Sequence, residues 1–296
     1  MPIRCYDLKM DNYWANWAEK LTTIDDNPLR LIGWLLKENG IETNVRFLNV
    51  SDLSLIQQSM IEEALQRLLA YEPLSKIIGE KEFYGRMFKT TSNTLDPRED
   101  SETLIRCVEL HHTPNDAFTI LDLGTGTGCL LITLLALFPM ATGLAIDKCS
   151  KALAVAIENA NLHSVQQRIS FLKSDWCHEL ASSALRKQFQ SKQAKGTFDV
   201  IVSNPPYIKD EYALAPSVAY YDPASALFGG SDGLNAYRAI FKALPDFCHS
   251  TTKIYMEIGY DQFESVPSIG HAYGFQMIYA MRDDRGHYRS LTFQRI

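Results

Sequence analysis

Apolar residues in the first quarter of the chain recur every three or four positions, whereas later ones gather into short continuous runs. The first pattern is that of one-sided helices, and the second that of strands covered on both faces. "DNYWANWAEKLTTI" (11–24), "NPLRLIGWLLKENG" (27–40) and "SLIQQSMIEEALQRLLAYEP" (54–73) all carry the helical spacing. Asp11 and Asn27 stand where N-caps belong, Pro28 suits a first turn, Gly40 suits a stop, and Pro73 closes the third helix. No cluster of chemically active side chains occurs there, so residues 1–77 are expected to form a small helical domain used for packing or substrate docking. "KEFYG" and "RMFKTT" then alternate about Gly85, which predicts a β-hairpin linking two domains across 78–98.

From 99 to 296 the runs "FTILDLG", "TGLAID", "RISFLKS", "FDVIVSN" and "TKIYMEIG" read as strands. Helical stretches such as "CLLITLLALF" (129–138) and "KALAVAIENANLH" (151–163) lie between several of them. That alternation predicts an α/β domain built on a mostly parallel sheet with helices on both faces. The last two runs, "FQMIYAMRD" and "YRSLTFQRI", have no helix between them and should pair antiparallel at one edge. A polar, basic stretch, "SSALRKQFQSKQAKG" (182–196, with Arg186, Lys187, Lys192 and Lys195), interrupts the pattern and is expected to be a solvated surface excursion.

Composition narrows the class. The 296 residues are 46% hydrophobic and 22% charged, as in a soluble globular protein with a main and a smaller domain. A net charge of −6 supplies no global basic field for gripping phosphates, so no direct nucleic-acid partner is expected. Six scattered cysteines without a C-x-x-C pair point to reduced thiols, not a disulfide or zinc framework, and no metal site is expected. "MPIRCYDLKMDNYW" lacks the apolar core of a signal peptide, its early acids argue against a transit peptide, and the longest apolar run is too short to span a bilayer. A cytoplasmic protein is the expectation.

Three segments carry candidate chemistry. In "ILDLGTGTG" (120–128) three glycines alternate directly after a strand, where they permit a tight turn and close approach of a ligand to the backbone. A dinucleotide fingerprint, G-x-G-x-x-G, would require glycine at Cys129, so the pyrophosphate reading weakens. The next strand ends in Asp147, placed to accept hydrogen bonds from two ribose hydroxyls, unless it merely caps the helix near Ser150. Asp122 is a candidate for orienting the glycine loop. The third strand runs into Asp175 and Trp176, a carboxylate and an indole suited to an adenine amino group and ring. Glycines, ribose acid and adenine pocket without a phosphate fingerprint describe a single nucleoside ligand, and S-adenosylmethionine fits.

The fourth strand ends in "SNPPY". Two prolines cannot continue a paired strand, so the main-chain carbonyls of Asn204 and Pro205 are left to accept the two hydrogens of an incoming NH₂ group. Tyr207 offers a flat face to a planar substrate. Asn204, Pro205, Pro206 and Tyr207 are therefore the expected catalytic cradle, holding a weakly nucleophilic amide or exocyclic nitrogen in line with an activated methyl group.

"LDLGTGTG", "AIDKCSKALAVAIENA", "SDW", "FDVIVSNPPYI" and "YYDPASALFGGSDGLNAYRAI" together resemble the HemK/PrmC family of protein-(glutamine-N5) methyltransferases, which modify the Gly-Gly-Gln motif of peptide-chain release factors. "EFYGRMFKTTSNTLDPREDSETLI" extends the resemblance through the family's interdomain hairpin and "PRPDTE" segment. The resemblance implies a small helical N-terminal domain and a seven-stranded class I (Rossmann-like) methyltransferase domain. It implies S-adenosylmethionine on Gly124, Thr125, Gly126, Thr127, Gly128, Asp147, Asp175, Trp176 and Asn204, and the substrate glutamine on Asn204, Pro205, Pro206 and Tyr207. It also implies release factors as partners of a monomeric enzyme that modulates translation termination. The chain departs from the family at Glu99, where proline is usual, and at Ser101, where threonine is common. The stretch 182–196 is longer than usual, and "RDDRGHYRSL" is a loose version of the family's "DLAGxxR" ending. "NPPY" is shared with enzymes that methylate adenine N6 or guanine N2, so a nucleic-acid amino-methyltransferase is the alternative. A non-catalytic sensor of the cofactor is the reading from outside the enzymes.

Overall fold

A computed structural model describes residues 10–182, 184, 186 and 196–296, in two units. The basic stretch expected as a surface excursion falls mostly outside the described residues, Lys187, Lys192 and Lys195 among them.

The first unit takes in the chain up to Gly79, together with Ala215–Tyr221. It contains α1 (Asn12–Leu21), α2 (Pro28–Glu38), α3 (Leu55–Leu69) and α4 (Leu74–Ile78). Asp11 caps α1 through the Tyr13 N–H at 2.8 Å, and Ser54 and Gln57 cap α3 reciprocally. Trp14, Trp17, Leu21, Ile32, Leu36, Ile61 and Leu65 interlock as its core. The Trp14 indole N–H satisfies the Leu48 carbonyl at 2.8 Å inside that core.

The second unit spans Glu80–Leu214 and Asp222–Ile296. It opens on a hairpin of β1 (Glu80–Phe83) and β2 (Arg86–Lys89). Its two-residue turn, Tyr84–Gly85, has φ of 51° and 71°, the left-handed pair that a twisted hairpin favours. The hairpin is packed into this unit: Phe83 and Phe88 are fully enclosed, and buried Asn159 exchanges two hydrogen bonds with the Lys89 backbone.

There follow α5 (Glu102–Glu109), β3 (Thr119–Leu123), α6 (Cys129–Leu137), β4 (Thr142–Asp147), α7 (Ser150–Leu162), β5 (Ile169–Lys173), α8 (His178–Ser182) and β6 (Phe198–Ser203). α9 (Pro216–Ala219) belongs to the first unit, and α10 (Asn235–Ala243), β7 (Cys248–Glu257), α11 (Ser265–Ala272), β8 (Phe275–Arg282) and β9 (Tyr288–Arg295) complete the second. The seven-stranded sheet runs β5-β4-β3-β6-β7-β9-β8, with β3 to β7 parallel and β9 antiparallel to both its neighbours. The last two strands pair as expected, but β9 lies inside the sheet and β8 takes the edge.

Both faces of the central strands are covered, which is why β3, β4 and β6 read as unbroken apolar runs, whereas the edge strand β8 is largely exposed. Ile120, Val200, Val202 and Tyr255 face one core with α5 to α7, while Leu121, Leu123, Ile201 and Met256 face the other with α10 and α11. The strand order reverses between β3 and β6. The carboxyl ends at such a switch diverge, leaving the crevice in which open α/β sheets bind ligands.

Candidate active site

A cleft opens at those carboxyl ends. The glycine loop forms its floor: all three glycines have positive φ (75°, 55° and 81° at Gly124, Gly126 and Gly128), a conformation that side chains resist. Gly128 also allows close helix packing, since a Cβ there would meet Ile132 at 2.8 Å and Ala156 at 3.3 Å. Fully buried Asp122 accepts the Thr125 hydroxyl at 2.6 Å, so it does orient the loop. Burial pushes its pKa up to about 7.

Asp147 and the loop are tied together. One carboxylate oxygen accepts the Gly126 N–H at 3.0 Å and the other the Cys149 N–H at 2.8 Å, while the residue faces the cleft. Asp147 is not the cap of α7, which Cys149 leads. Asp175 and Trp176 line the same cleft; Trp176 takes the uncommon φ of 50°, and its ring lies 3.7 Å from where a Gly124 Cβ would stand. The charged lining is Asp96, Asp147 and Asp175 against Arg98 and Lys148, and Arg98 is already paired with Asp222 at 2.6 Å. Carboxylates outnumber free cations, so the chemistry of the donor set suits a cationic nucleoside better than a phosphate. S-adenosylmethionine meets that description.

Asn204 and Pro206 line the cleft, Pro205 is buried behind them, and Tyr207 is not among the lining residues. The Asn204 and Pro205 carbonyls accept no hydrogen bond among the described residues. Asn204 Nδ2 donates to Ser101 Oγ at 2.9 Å, and Ser101 donates to Glu257 Oε2 at 2.5 Å. The Tyr207 hydroxyl donates to Glu257 Oε1 at 3.2 Å, and its ring edge packs on Gly259. Glu257 is fully buried, and desolvation raises its pKa to about 7 against the opposing pull of the Ser101 hydroxyl and Arg289.

The cradle is braced from behind. A Cβ on Gly229 would stand 2.6 Å from the Pro206 carbonyl oxygen, and one on Gly233 only 2.3 Å from that of Tyr207. Gln262 Nε2 donates to the Tyr207 and Gly233 carbonyls at 3.1 and 3.2 Å, clasping the two segments. Arg289, from the loose C-terminal motif, bridges Asp283 at 3.1 Å and Asp100 at 3.3 Å.

Sequence reasoning passed over Ser101, Gly229, Gly233, Glu257, Gln262 and Arg289 as site residues. One signal was present: Glu257 is the lone acid in the apolar run "KIYMEIG". The described residues contain no cluster of His, Cys, Asp and Glu able to hold a metal, and no helix long and apolar enough to cross a membrane.

Residues 114–244 match the family model described as a methyltransferase domain. The chain is 40% identical to the release factor glutamine methyltransferase of Cereibacter sphaeroides, covering 78% of this chain and 77% of that one. It is 34% identical to the protein of the same name from Agrobacterium fabrum, covering 81% and 80%. Among solved structures, the ribosomal protein L11 methylase of Lactobacillus delbrueckii subsp. bulgaricus aligns with a TM-score of 0.47 at 19% identity, over 73% of this chain and 88% of that one. With the cleft, the sheet order and these relatives together, the chain belongs to the release factor glutamine methyltransferase family and is an S-adenosylmethionine-dependent methyltransferase.

Proposed function

We propose that the protein methylates the side-chain amide N5 of the glutamine in the Gly-Gly-Gln motif of peptide-chain release factors. The observation that carries this reading is the Asn204 side chain, which lines the same cleft as the glycine loop and Asp147 and whose Oδ1, like the Pro205 main-chain carbonyl beside it, accepts no hydrogen bond among the described residues. S-adenosylmethionine supplies a methyl group on a positively charged sulfur that departs as a neutral thioether. Gly124, Thr125, Gly126, Thr127 and Gly128 shape the floor beneath it, Asp147 takes the ribose hydroxyls, and Asp175 and Trp176 take the adenine.

An amide nitrogen is a poor nucleophile because its lone pair is delocalised, so the protein's contribution is orientation. Asn204 Oδ1, left free when Nδ2 turns to Ser101, and the Pro205 carbonyl accept the two amide hydrogens. Pro205 and Pro206 remove the backbone freedom that would let those acceptors drift. Tyr207 flanks the amide plane. Acceptors that strengthen as the nitrogen gains positive charge favour the transition state over the ground state. With S-adenosylmethionine held by the glycine loop and Asp147, the N–CH₃ bond would form as the S–CH₃ bond breaks, and the surplus proton would leave to water afterwards, so no base is needed within reach.

A release factor as partner agrees with the net charge of −6, which offers no general attraction to nucleic acid. Mass spectrometry of purified release factor, after incubation with enzyme and S-adenosylmethionine, tests the reading. One added methyl on the Gly-Gly-Gln glutamine is expected; labelling of ribosomal RNA, transfer RNA or DNA with the release factor untouched would overturn it.

A further inference from the structure

We propose that Glu257 is a positioning residue for methyl transfer: acting through Ser101 and Tyr207, it compels the Asn204 side-chain amide to turn its oxygen, not its nitrogen, toward the acceptor. The inference deepens the glutamine reading above and rests on it.

The argument is a count of donors and acceptors. An ionised carboxylate can only accept. The hydroxyl hydrogens of Ser101 and Tyr207 therefore both point to Glu257, at 2.5 and 3.2 Å. With its single hydrogen committed, Ser101 Oγ can only accept from a third group. Asn204 must then offer Nδ2, as it does at 2.9 Å, and Oδ1 is left for the substrate. Were Glu257 protonated, its own O–H could donate to Ser101. The Ser101 hydrogen would be released to Asn204 Oδ1, the amide would turn over, and its NH₂ would confront the NH₂ of the glutamine. Donor facing donor does not bind.

Burial makes the carboxyl an unusual occupant of its place. Glu257 is wholly enclosed at the end of β7, where an apolar side chain would cost far less. The groups facing it come from four directions. Ser101 and Asp100 precede α5, and Tyr207 follows β6. Arg289 approaches from β9, and Tyr237 of α10 donates to the Glu257 main-chain carbonyl at 2.9 Å. Desolvation and Asp100 favour the neutral carboxyl, whereas Arg289 and the two hydroxyls favour the charged one. The balance falls near pH 7, so catalysis acquires an acid limb there.

The test compares wild type, Glu257→Gln, Ser101→Ala and Ser101→Thr on release factor at saturating cofactor across pH. Wild-type kcat should fall as the pH drops through about 7. Glu257→Gln and Ser101→Ala should lose about 10²-fold in kcat with the KM for S-adenosylmethionine unchanged. Glu257→Gln should also lose the acid limb, and Ser101→Thr, which keeps the hydroxyl, should keep the rate. A second readout needs no turnover: the side-chain amide resonances of Asn204 should titrate near pH 7 in wild type and stay flat in Glu257→Gln. Wild-type rates and an intact acid limb in Glu257→Gln and Ser101→Ala, or Asn204 resonances indifferent to pH, overturn the proposal. Failure of the wild-type enzyme to methylate release factor overturns the glutamine reading instead, and the resonance titration still decides the relay.

Discussion

Replacing Gly233 by alanine asks whether the cradle works by rigid placement. Gly233 sits at φ +76°, and a Cβ there would lie 2.3 Å from the Tyr207 carbonyl oxygen and 2.9 Å from Gln262 Nε2. A carbon–oxygen contact settles at about 3.3 Å, so the Tyr207 carbonyl must retreat by about 1 Å. Gln262 cannot absorb that movement, because the same amide nitrogen holds the carbonyls of both Tyr207 and Gly233. The displacement passes to Asn204–Tyr207, and a misplacement of about 1 Å at reacting groups costs on the order of 10²-fold in rate. The left-handed backbone adds strain of about 1–2 kcal/mol. Gly274→Ala supplies the comparison: its φ is +84° and nothing lies within 4 Å of the added carbon, so it carries the strain without the push. Release factor methylation at saturating cofactor, cofactor Kd by calorimetry and thermal unfolding separate the effects. Both variants should lose stability, both should bind cofactor normally, and only Gly233→Ala should lose kcat. A Gly233→Ala enzyme turning over at the wild-type rate, or a Gly274→Ala enzyme equally impaired, refutes the reasoning.

Other expectations follow from single side chains. Asp147→Ala should weaken S-adenosylmethionine binding by about tenfold or more, a loss of about 1–3 kcal/mol, measured by calorimetry; unchanged affinity would remove Asp147 from the cofactor site. Asn159→Ala strands the backbone of Lys89 and the Thr127 carbonyl, which it bonds at 2.8 to 3.0 Å, and should destabilise the second unit by about 1–3 kcal/mol in urea melts. Asp122 has its folded pKa raised to about 7 from 3.8, so the stability it lends is present below the ordinary value and lost as pH rises toward 7. Wild type should therefore decline relative to Asp122→Asn across that window, and a gap that ignores pH would contradict it.

Legibility in the sequence followed the range of the interactions. The parallel strands showed because both faces are buried, so Ile120 and Leu121 are apolar alike although they serve different cores. The hairpin showed because Gly85 marks a two-residue turn, and the glycine loop because its conformation demands glycine locally. The position of β9 did not show, since its partners, β7 and β8, are chosen by a register that no local pattern encodes. The relay beneath the cradle was hidden for a related reason: Ser101 and Glu257 stand 156 positions apart, and only the folded sheet brings them together. Tyr207 was expected to present its ring to a substrate, and nothing local revealed that its hydroxyl is committed to a carboxylate.

The interior position of Tyr288–Arg295 has a consequence for how the molecule is made. During synthesis the flank of Cys248–Glu257 stays open until Tyr288–Arg295 has emerged, and until then Phe275–Arg282 has no sheet to join. Insertion of the final strand closes that gap and delivers Arg289 to Asp100 and Asp283 in the same event. The glycine loop is thus built from local sequence, whereas the brace behind the cradle waits for a strand much further along the chain, and a chain cut before Tyr288 keeps the first and loses the second.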